Sequence, residues 1–242
     1  TNYAYTTAPA GNALYCSGVG TLRIQDTIMT NNMGGSSVLG PENILANITT
    51  LLTMERSVVA SGTGRGLVKL GGGQAFISNC LFALNSSNGV HVGTGMVTFA
   101  NVTLAYNNGW GMTNYPAATA TVVNCIAWGN TNGGFTNCNV NYSLSQEIQA
   151  GTANLTNDPV FTDLAWFHEQ SKVGTYTGGY FNGGVFATTF FTNSPAIDAG
   201  DLSPYGNEPA PNGNRINLGA YGNTSVASMS ATKNPGTHFI FY

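Results

Sequence analysis

One nine-residue phrase returns five times in the first half of the chain, and the rest of the sequence is arranged before and after it. The copies run over 24–32, 54–62, 77–85, 99–107 and 122–130. Their central residues, Asp26, Arg56, Asn79, Asn101 and Asn124, are 30, 23, 22 and 23 positions apart. A near-constant period of this length, rich in strand formers and punctuated by Asn and Gly, is the mark of a solenoid. A single copy cannot bury its own apolar face, so successive copies must stack.

The period selects the kind of solenoid. The Leu/Asn spacing and helical half of a leucine-rich repeat are absent. Two or three short strands per coil fit an all-β, single-stranded right-handed parallel β-helix of about 22–23 residues per coil, closed by a C-terminal capping region. Two and four positions before each central residue the chain is apolar: Leu22/Ile24, Leu52/Met54, Ala75/Ile77, Val97/Phe99 and Ala120/Val122. That is the alternation of a half-buried strand, and it ends at a bend. Three bend residues are Asn, which tolerates a left-handed backbone, and the expectation is that their amides bond from coil to coil.

After the bend, positions one and three should face inward: Thr27/Met29, Ser57/Val59, Cys80/Phe82, Val102/Leu104 and Cys125/Ala127. Positions two and four then face outward, yet they read Ile28/Thr30, Val58/Ala60, Leu81/Ala83, Thr103/Ala105 and Ile126/Trp128. An apolar ladder on both faces of one sheet requires a cover. Either the chain's own C-terminal segment or a neighbouring molecule supplies it, unless the register slips after the bend.

Charge excludes several partners. Only 7% of residues are charged and the net charge is −3, with no basic cluster, so nucleic acid and anionic membrane surfaces are poor partners. No apolar run is long enough to span a bilayer, and Thr1 opens no signal-peptide pattern. At 42% hydrophobic and 11% aromatic content, the chain has a core to build.

The segments then read as follows. Residues 1–12 form an N-terminal arm carrying Tyr3 and Tyr5, residues 13–145 the coils, 146–228 an end module, and 229–242 a tail strand. The segment from Met33 to Asn43 is a surface loop that lengthens the first spacing; its one acidic residue is Glu42. Cys80 and Cys125 hold the same repeat position two coils apart, about 9.6 Å, beyond the reach of a disulfide. Cys16 and Cys138 lie at opposite ends of the coils. Cys80 and Cys125 should be free, Cys16 and Cys138 should not meet within one molecule, and no Cys/His spacing suggests a metal or other cofactor. Glycosylation sequons begin at Asn47, Asn85, Asn101, Asn141, Asn154 and Asn223, with Asn101 expected to be inaccessible.

The chemistry-bearing residues of the coils are few. Arg65, Lys69 and His91, with Trp110 and Tyr115 one coil further on, could form a polysaccharide site on an outer face: a base, a neutralising cation and aromatic platforms for sugar rings. The preferred reading of Arg65, Lys69 and His91 is three solvated side chains on turns. Between Glu55 and Glu147 there is no acidic residue. This argues against a calcium-dependent lyase and against a carboxylate-pair glycosidase in this stretch.

From Asn124 onward the motifs VVNCIAWGNT, VNYSLSQ (140–146), NDPVFTD (157–163), SPAIDAGD (194–201) and NEPAPNGNRINLGAYGNTSVAS (207–228) follow in order. This half of the chain resembles the C-terminal module of bacterial secreted right-handed β-helix repeat proteins. The resemblance implies an extracellular or cell-surface protein without implying one activity. The chain departs from it over 164–192, an aromatic-rich insert with Trp166, Phe167, Tyr176, Tyr180, Phe181, Phe186, Phe190 and Phe191. Within the module, Asp158, Asp163, Asp198, Asp201 and Glu208 read as turn-bonding groups that pair with Arg215, or as a calcium or sugar site.

The tail ends in Phe239, Ile240, Phe241 and Tyr242. Such a strand can cover the molecule's own ladder or add to a neighbour's sheet. The sequence therefore points first to a non-catalytic, self-associating structural subunit, a surface protein or filament, joined head to tail through Tyr3, Tyr5 and 239–242. The alternative is a carbohydrate-active protein, a polysaccharide lyase or glycan-binding adhesin, using Arg65, Lys69, His91, Trp110 and Tyr115.

Overall fold

A computed structural model describes residues 13–33 and 42–231. The described residues are all-β, with no helix, and most strands pair in parallel. Each coil supplies up to three strands. The first has β1 (Leu14–Gly18), β2 (Thr21–Gln25) and β3 (Ile28–Thr30); the second β4 (Glu42–Ile48), β5 (Leu51–Glu55) and β6 (Val58–Ala60). The third has β7 (Arg65–Leu70) and β8 (Gln74–Ala83), and the fourth β9 (Val90–Val92) and β10 (Gly95–Ala105). The fifth has β11 (Trp110–Asn114), β12 (Ala118–Val123) and β13 (Ile126–Trp128), followed by β14 (Gly133–Thr136), β15 (Asn139–Asn141) and β16 (Leu144–Ser145). Two short strands, β17 (Thr175–Tyr176) and β18 (Phe186–Ala187), pair antiparallel outside the stack.

One sheet stacks β1-β4-β7-β9-β11-β14 and the other stacks β2-β5-β8-β10-β12-β15. The long strands β8 and β10 run through their bends, so their second halves join β3, β6, β13 and β16 in a third ladder. Register follows the sequence period. In the first sheet Leu14, Ile44, Leu67, Val90, Met112 and Phe135 stand in one row. In the second, the apolar residues before each bend fill the same interior, and the core runs continuously from Leu22 to Val140.

The bends are left-handed at all five central residues, with φ between 42° and 55°. Their amides do not bond to one another, contrary to expectation. Asn79 Nδ2 donates to the carbonyls of Ala220 and Gly222, Asn101 Nδ2 to that of Asn217, and Asn124 exchanges bonds with Asp201. These residues fasten the C-terminal segment to the coils.

The asparagine ladder lies six residues later, inside the stack. Asn85 Nδ2 donates to Asn107 Oδ1, and Asn107 Nδ2 to Asn130 Oδ1. In the second coil the equivalent position is Gly62, and Asn43 reaches into its place. A side chain on residue 62 would lie only 2.1 Å from the Asn43 amide, and Asn43 Nδ2 completes the series by donating to Asn85 Oδ1 at 3.1 Å. Buried amides of this kind must be bonded, and each rung satisfies the next.

The outward ladder is covered by the chain itself. Val58, Ala60, Leu81, Ala83 and Ala105 pack against Phe167, Ala220 and Tyr221, with Phe161, Tyr180 and Val226 at the margin. Ile126 and Leu144 pack against Ala196 and Leu218. Thr103 Oγ1 accepts from the Ala220 amide at 2.9 Å, so its hydroxyl serves the cover rather than solvent. The aromatic insert supplies the centre of this seal: His168 stacks on Tyr221 with ring centres 3.6 Å apart, and Tyr221 Oη donates to the Trp166 carbonyl. From the second coil to Ile126, the ladder is buried by the chain itself, whereas Ile28 of the first coil is exposed.

The module's carboxylates bond turn amides. Asp158 takes Val160 N, Asp163 takes Ala165 N and Trp166 N, Asp201 takes Ser203 N, and Glu208 takes the amides of Asn217 and Asn223. Arg215 pairs with none of them. It donates to the Gly200 carbonyl and lies over the ring of Tyr142.

Candidate outer-face cleft

The outward row of the first sheet runs Tyr15, Leu45, Val68, His91, Thr113 and Thr136, one residue per coil. At its far end the chain turns through Asn114, Tyr115 and Pro116. The turn borders a cleft of about 360 Å³, lined by Arg65, Asn88, His91, Thr113, Asn114, Tyr115, Pro116, Thr136 and Asn137.

The cleft's polar groups are held from within. Asn88 Oδ1 accepts the Trp110 amide at 2.9 Å, which orients the side-chain amide and turns Nδ2 toward Thr113 Oγ1 at 3.2 Å. The same hydroxyl lies 3.0 Å from His91 Nδ1. Thr113 Oγ1 thus joins the Asn88 amide to the His91 ring and fixes the orientation of both side chains. His91 meets Tyr115 edge to face, ring centres 4.8 Å apart. Burial, and secondarily the charge of Arg65, lowers the His91 pKa to about 4, so the ring is neutral at physiological pH. Tyr115 is 54% exposed and is the one large aromatic face open at the rim. Arg65 Nη2 bonds Glu42 Oε1 at 3.2 Å, and the Glu42 side chain is fully buried.

Of the five residues the sequence marks as a glycan site, three line this cleft: Arg65, His91 and Tyr115. Lys69 is placed elsewhere, and its reading as an outer-face cation is corrected. Its row is Ala46, Lys69 and Val92, which faces the interior, and the side chain is fully buried. Its ammonium is capped by three carbonyls, Gly71 at 2.5 Å, Gly73 at 2.6 Å and Thr94 at 3.2 Å. Desolvation lowers its pKa. It is a structural plug for a turn. Trp110 does not line the cleft either; its ring lies against Gly133 of the next coil, where an added Cβ would come within 2.5 Å of it. The residues that the sequence reading missed are Asn88, Thr113, Asn114, Pro116, Thr136 and Asn137. For Thr113 and Thr136 the signal was available, since they stand one and two periods on in the row of His91.

The assembly residues Tyr3, Tyr5, Phe239, Ile240, Phe241 and Tyr242 lie outside the described residues. All four cysteines are free, and burial pushes the Cys80, Cys125 and Cys138 thiols up to about 12, which removes them as nucleophiles. Among the described residues no three His, Cys, Asp or Glu side chains are grouped to hold a metal ion. Nor, among them, is any helix long and apolar enough to cross a membrane. A second hollow, about 380 Å³, includes Glu55, Arg56, Asn79, Asn207 and Asn223 in its lining. Its cation is already engaged, with Arg56 bonding Asp26 at 2.7 Å and Glu55 at 2.6 Å.

Comparison with known proteins gives no match: no family model, no curated protein and no solved structure is significantly similar to the chain.

Proposed function

We propose that this chain is an extracellular or cell-surface glycan-binding protein, built on a right-handed parallel β-helix, that binds carbohydrate in the cleft around His91 and Tyr115 without cleaving it. The observation that carries this reading is convergence: Arg65, Asn88, His91, Thr113 and Tyr115, contributed by three successive coils, meet on one concave patch of an otherwise regular sheet. Amides and hydroxyls pre-positioned by the backbone, beside an exposed aromatic face, suit sugar hydroxyls and a pyranose ring. Right-handedness follows from the preference of parallel crossover connections in twisted sheets. The surface location rests on the motif resemblance of the C-terminal half, in which SPAIDAGD and GAYG supply the cover over the coils.

Binding is favoured over catalysis by the ionisation of the cleft. A lyase needs a base able to hold a proton near neutral pH beside a group that neutralises a carboxylate. His91, lowered to about 4, is a poor base, and Arg65 is already committed to Glu42. The test is affinity electrophoresis against a panel of soluble polysaccharides, with wild-type protein and Tyr115→Ala. Retardation by at least one polymer, lost in the variant and unaccompanied by new unsaturated or reducing ends, supports the reading. Release of such ends, or equal retardation of both proteins, contradicts it.

Head-to-tail association is the second reading, and one observation favours it. Ile28, at the first-coil end of the outward ladder, is 41% exposed, whereas Val58 and Leu81 beside it are covered. Among the described residues the strand of Ile28 pairs on one side alone, so the first coil offers an apolar edge on which another copy can stack.

A further inference from the structure

We infer that Asn182 is a site of covalent self-modification, converting through a cyclic imide to aspartate and isoaspartate, while the fold protects every other Asn-Gly pair. The sequence holds five such pairs, beginning at Asn88, Asn108, Asn132, Asn182 and Asn212. Glycine leaves its backbone nitrogen the most open to approach, because no Cβ stands beside it. In the reaction that nitrogen gives up its proton and bonds to Cγ of the preceding Asn. The Cγ–Nδ2 bond breaks, and ammonia leaves with the proton. Water then adds to either carbonyl of the imide: opening at Cγ gives isoaspartate or aspartate according to which C–N bond is cut, with no atom gained beyond that water. The reaction needs a glycine nitrogen without a partner, a side-chain amide that is not tied down, and room for the two to meet.

Four pairs lack these conditions. Asn88 is bonded through both ends of its amide, to the Trp110 nitrogen and the Thr113 hydroxyl, and the Gly89 nitrogen donates to the Trp110 carbonyl at 3.0 Å. Asn212 donates to the Glu208 carbonyl and accepts from the Asn214 amide, while the Gly213 nitrogen donates to Asp198 Oδ1 at 3.1 Å. The Gly133 nitrogen donates to the Asn130 carbonyl at 3.3 Å, and the Trp110 ring lies against that glycine. Asn108 accepts the Thr131 hydroxyl, and Gly109 is buried so closely against Asn88 that an added Cβ would lie 2.4 Å from its amide oxygen. Freeing a bonded, buried N–H forfeits its hydrogen bond, and that cost adds to the barrier.

Asn182 meets all of them. It lies in the loop joining β17 to β18, where the Thr177 amide donates to the Val185 carbonyl at 3.0 Å. Asn182 and Gly183 are both exposed, and neither makes a hydrogen bond with another described residue. Apart from chain neighbours, no atom lies within 4 Å of where a Cβ on residue 183 would stand. Four of the seven residues 178–184 are glycine, so the backbone can swing Cγ onto the nitrogen. The loop is tied to the cover through the Gly178 carbonyl and the Tyr180 hydroxyl, leaving Asn182 outside the packing. Conversion places a negative charge in residues 173–197, a stretch that otherwise has none.

The test ages the folded chain in mildly alkaline buffer and follows the amide-to-acid exchange at all five pairs by peptide mass spectrometry. The same chain in urea is the reference. In the folded protein Asn182 should convert at least about tenfold faster than any other pair, with isoaspartate among the products. In urea that lead should vanish, because all five glycine nitrogens are then open. The aged protein should also yield a more acidic form on anion exchange, absent from Asn182→Gln. Conversion of another pair as fast as Asn182 in the folded chain, no conversion at Asn182, a lead that persists in urea, or an acidic form that persists in Asn182→Gln would overturn the inference.

Discussion

Asn85 Nδ2 donates to Asn107 Oδ1 at 3.0 Å, and the backbone amide of Asn85 donates to the same oxygen at 3.1 Å. One carbonyl oxygen thus closes two buried donors of the coil before it, while Asn107 Nδ2 reaches forward to Asn130 and back to the Phe82 carbonyl. Because the amide is 1% exposed, water cannot replace any of these partners. Asn107→Ala should therefore cost about 3 kcal/mol or more, the penalty of leaving several buried polar groups unpaired. Chemical denaturation of the two proteins measures it. A loss below about 0.5 kcal/mol, the level of an ordinary surface substitution, would show that the ladder is not a principal support.

Lys69 gives a prediction that separates fold from function. Lys69→Met keeps the length of the buried stem and leaves the carbonyls of Gly71, Gly73 and Thr94 without their cap. Stability should fall by about 1–3 kcal/mol, with glycan affinity within about twofold of wild type once the protein is folded. A binding defect without a stability defect would return Lys69 to the site.

Tyr221 is the keystone of the cover: fully buried, stacked on His168 and bonded to Trp166. Tyr221→Ala should cost about 3–5 kcal/mol, in the range of large aromatic truncations. It should also raise binding of a hydrophobic dye, as the ladder of Val58, Leu81 and Ala105 comes open. Unchanged dye binding in a measurably destabilised variant would mean that the cover stays closed without its ring.

Four buried groups set an asymmetric pH response. Burial lifts the Glu169 carboxyl to about 8, with Glu208 adding to it, and lifts Glu208 to about 7 against the pull of two amide donors. Both side chains are buried, and both Glu169 oxygens lack hydrogen-bond partners. For a raised carboxyl, stability is fully present below the ordinary value of 4.5 and is lost as pH climbs through the folded value. His91 and His168, lowered by burial to about 4, act in the opposite sense: their contribution is present above 6.5 and is lost as pH falls through 4. Two groups oppose two between 4.5 and 6.5, so stability there should be nearly level, and it should decline from 6.5 to 8. Glu169→Gln should remove a large part of that alkaline decline in a series of denaturation curves. An unaltered decline in the variant would place its origin elsewhere.

Much of this architecture was legible in the repeat. The five left-handed bends, the alternation before each of them and the two-faced ladder after it all follow from a period of 22–23 residues. The asparagine ladder was equally legible, since Asn85, Asn107 and Asn130 are 22 and 23 apart, but the bend residues share that spacing and also turn the chain. Their amides turned outward for a reason no local pattern carries: their partners, such as Gly222 for Asn79, are 143 positions away. Lys69 was misplaced because charge suggests solvent, although its neighbours one coil either side, Ala46 and Val92, are apolar and mark an inward row. For the cleft, His91 and Tyr115 were visible as chemistry. What closes the cleft, the turn through Pro116, breaks the period and left no repeated mark.

The most direct test of the central claim is where a glycan lies. Hydrogen exchange of the intact chain, with and without a polymer that retards it, should show new protection confined to the strands and turns carrying Asn88 to Val92, Thr113 to Pro116, and Thr136 and Asn137. Protection there, absent in Tyr115→Ala, is the expected result. Protection concentrated instead on the outer face of the second sheet, around Phe76 and Met96, or at the first-coil edge around Ile28, would contradict the assignment of the cleft.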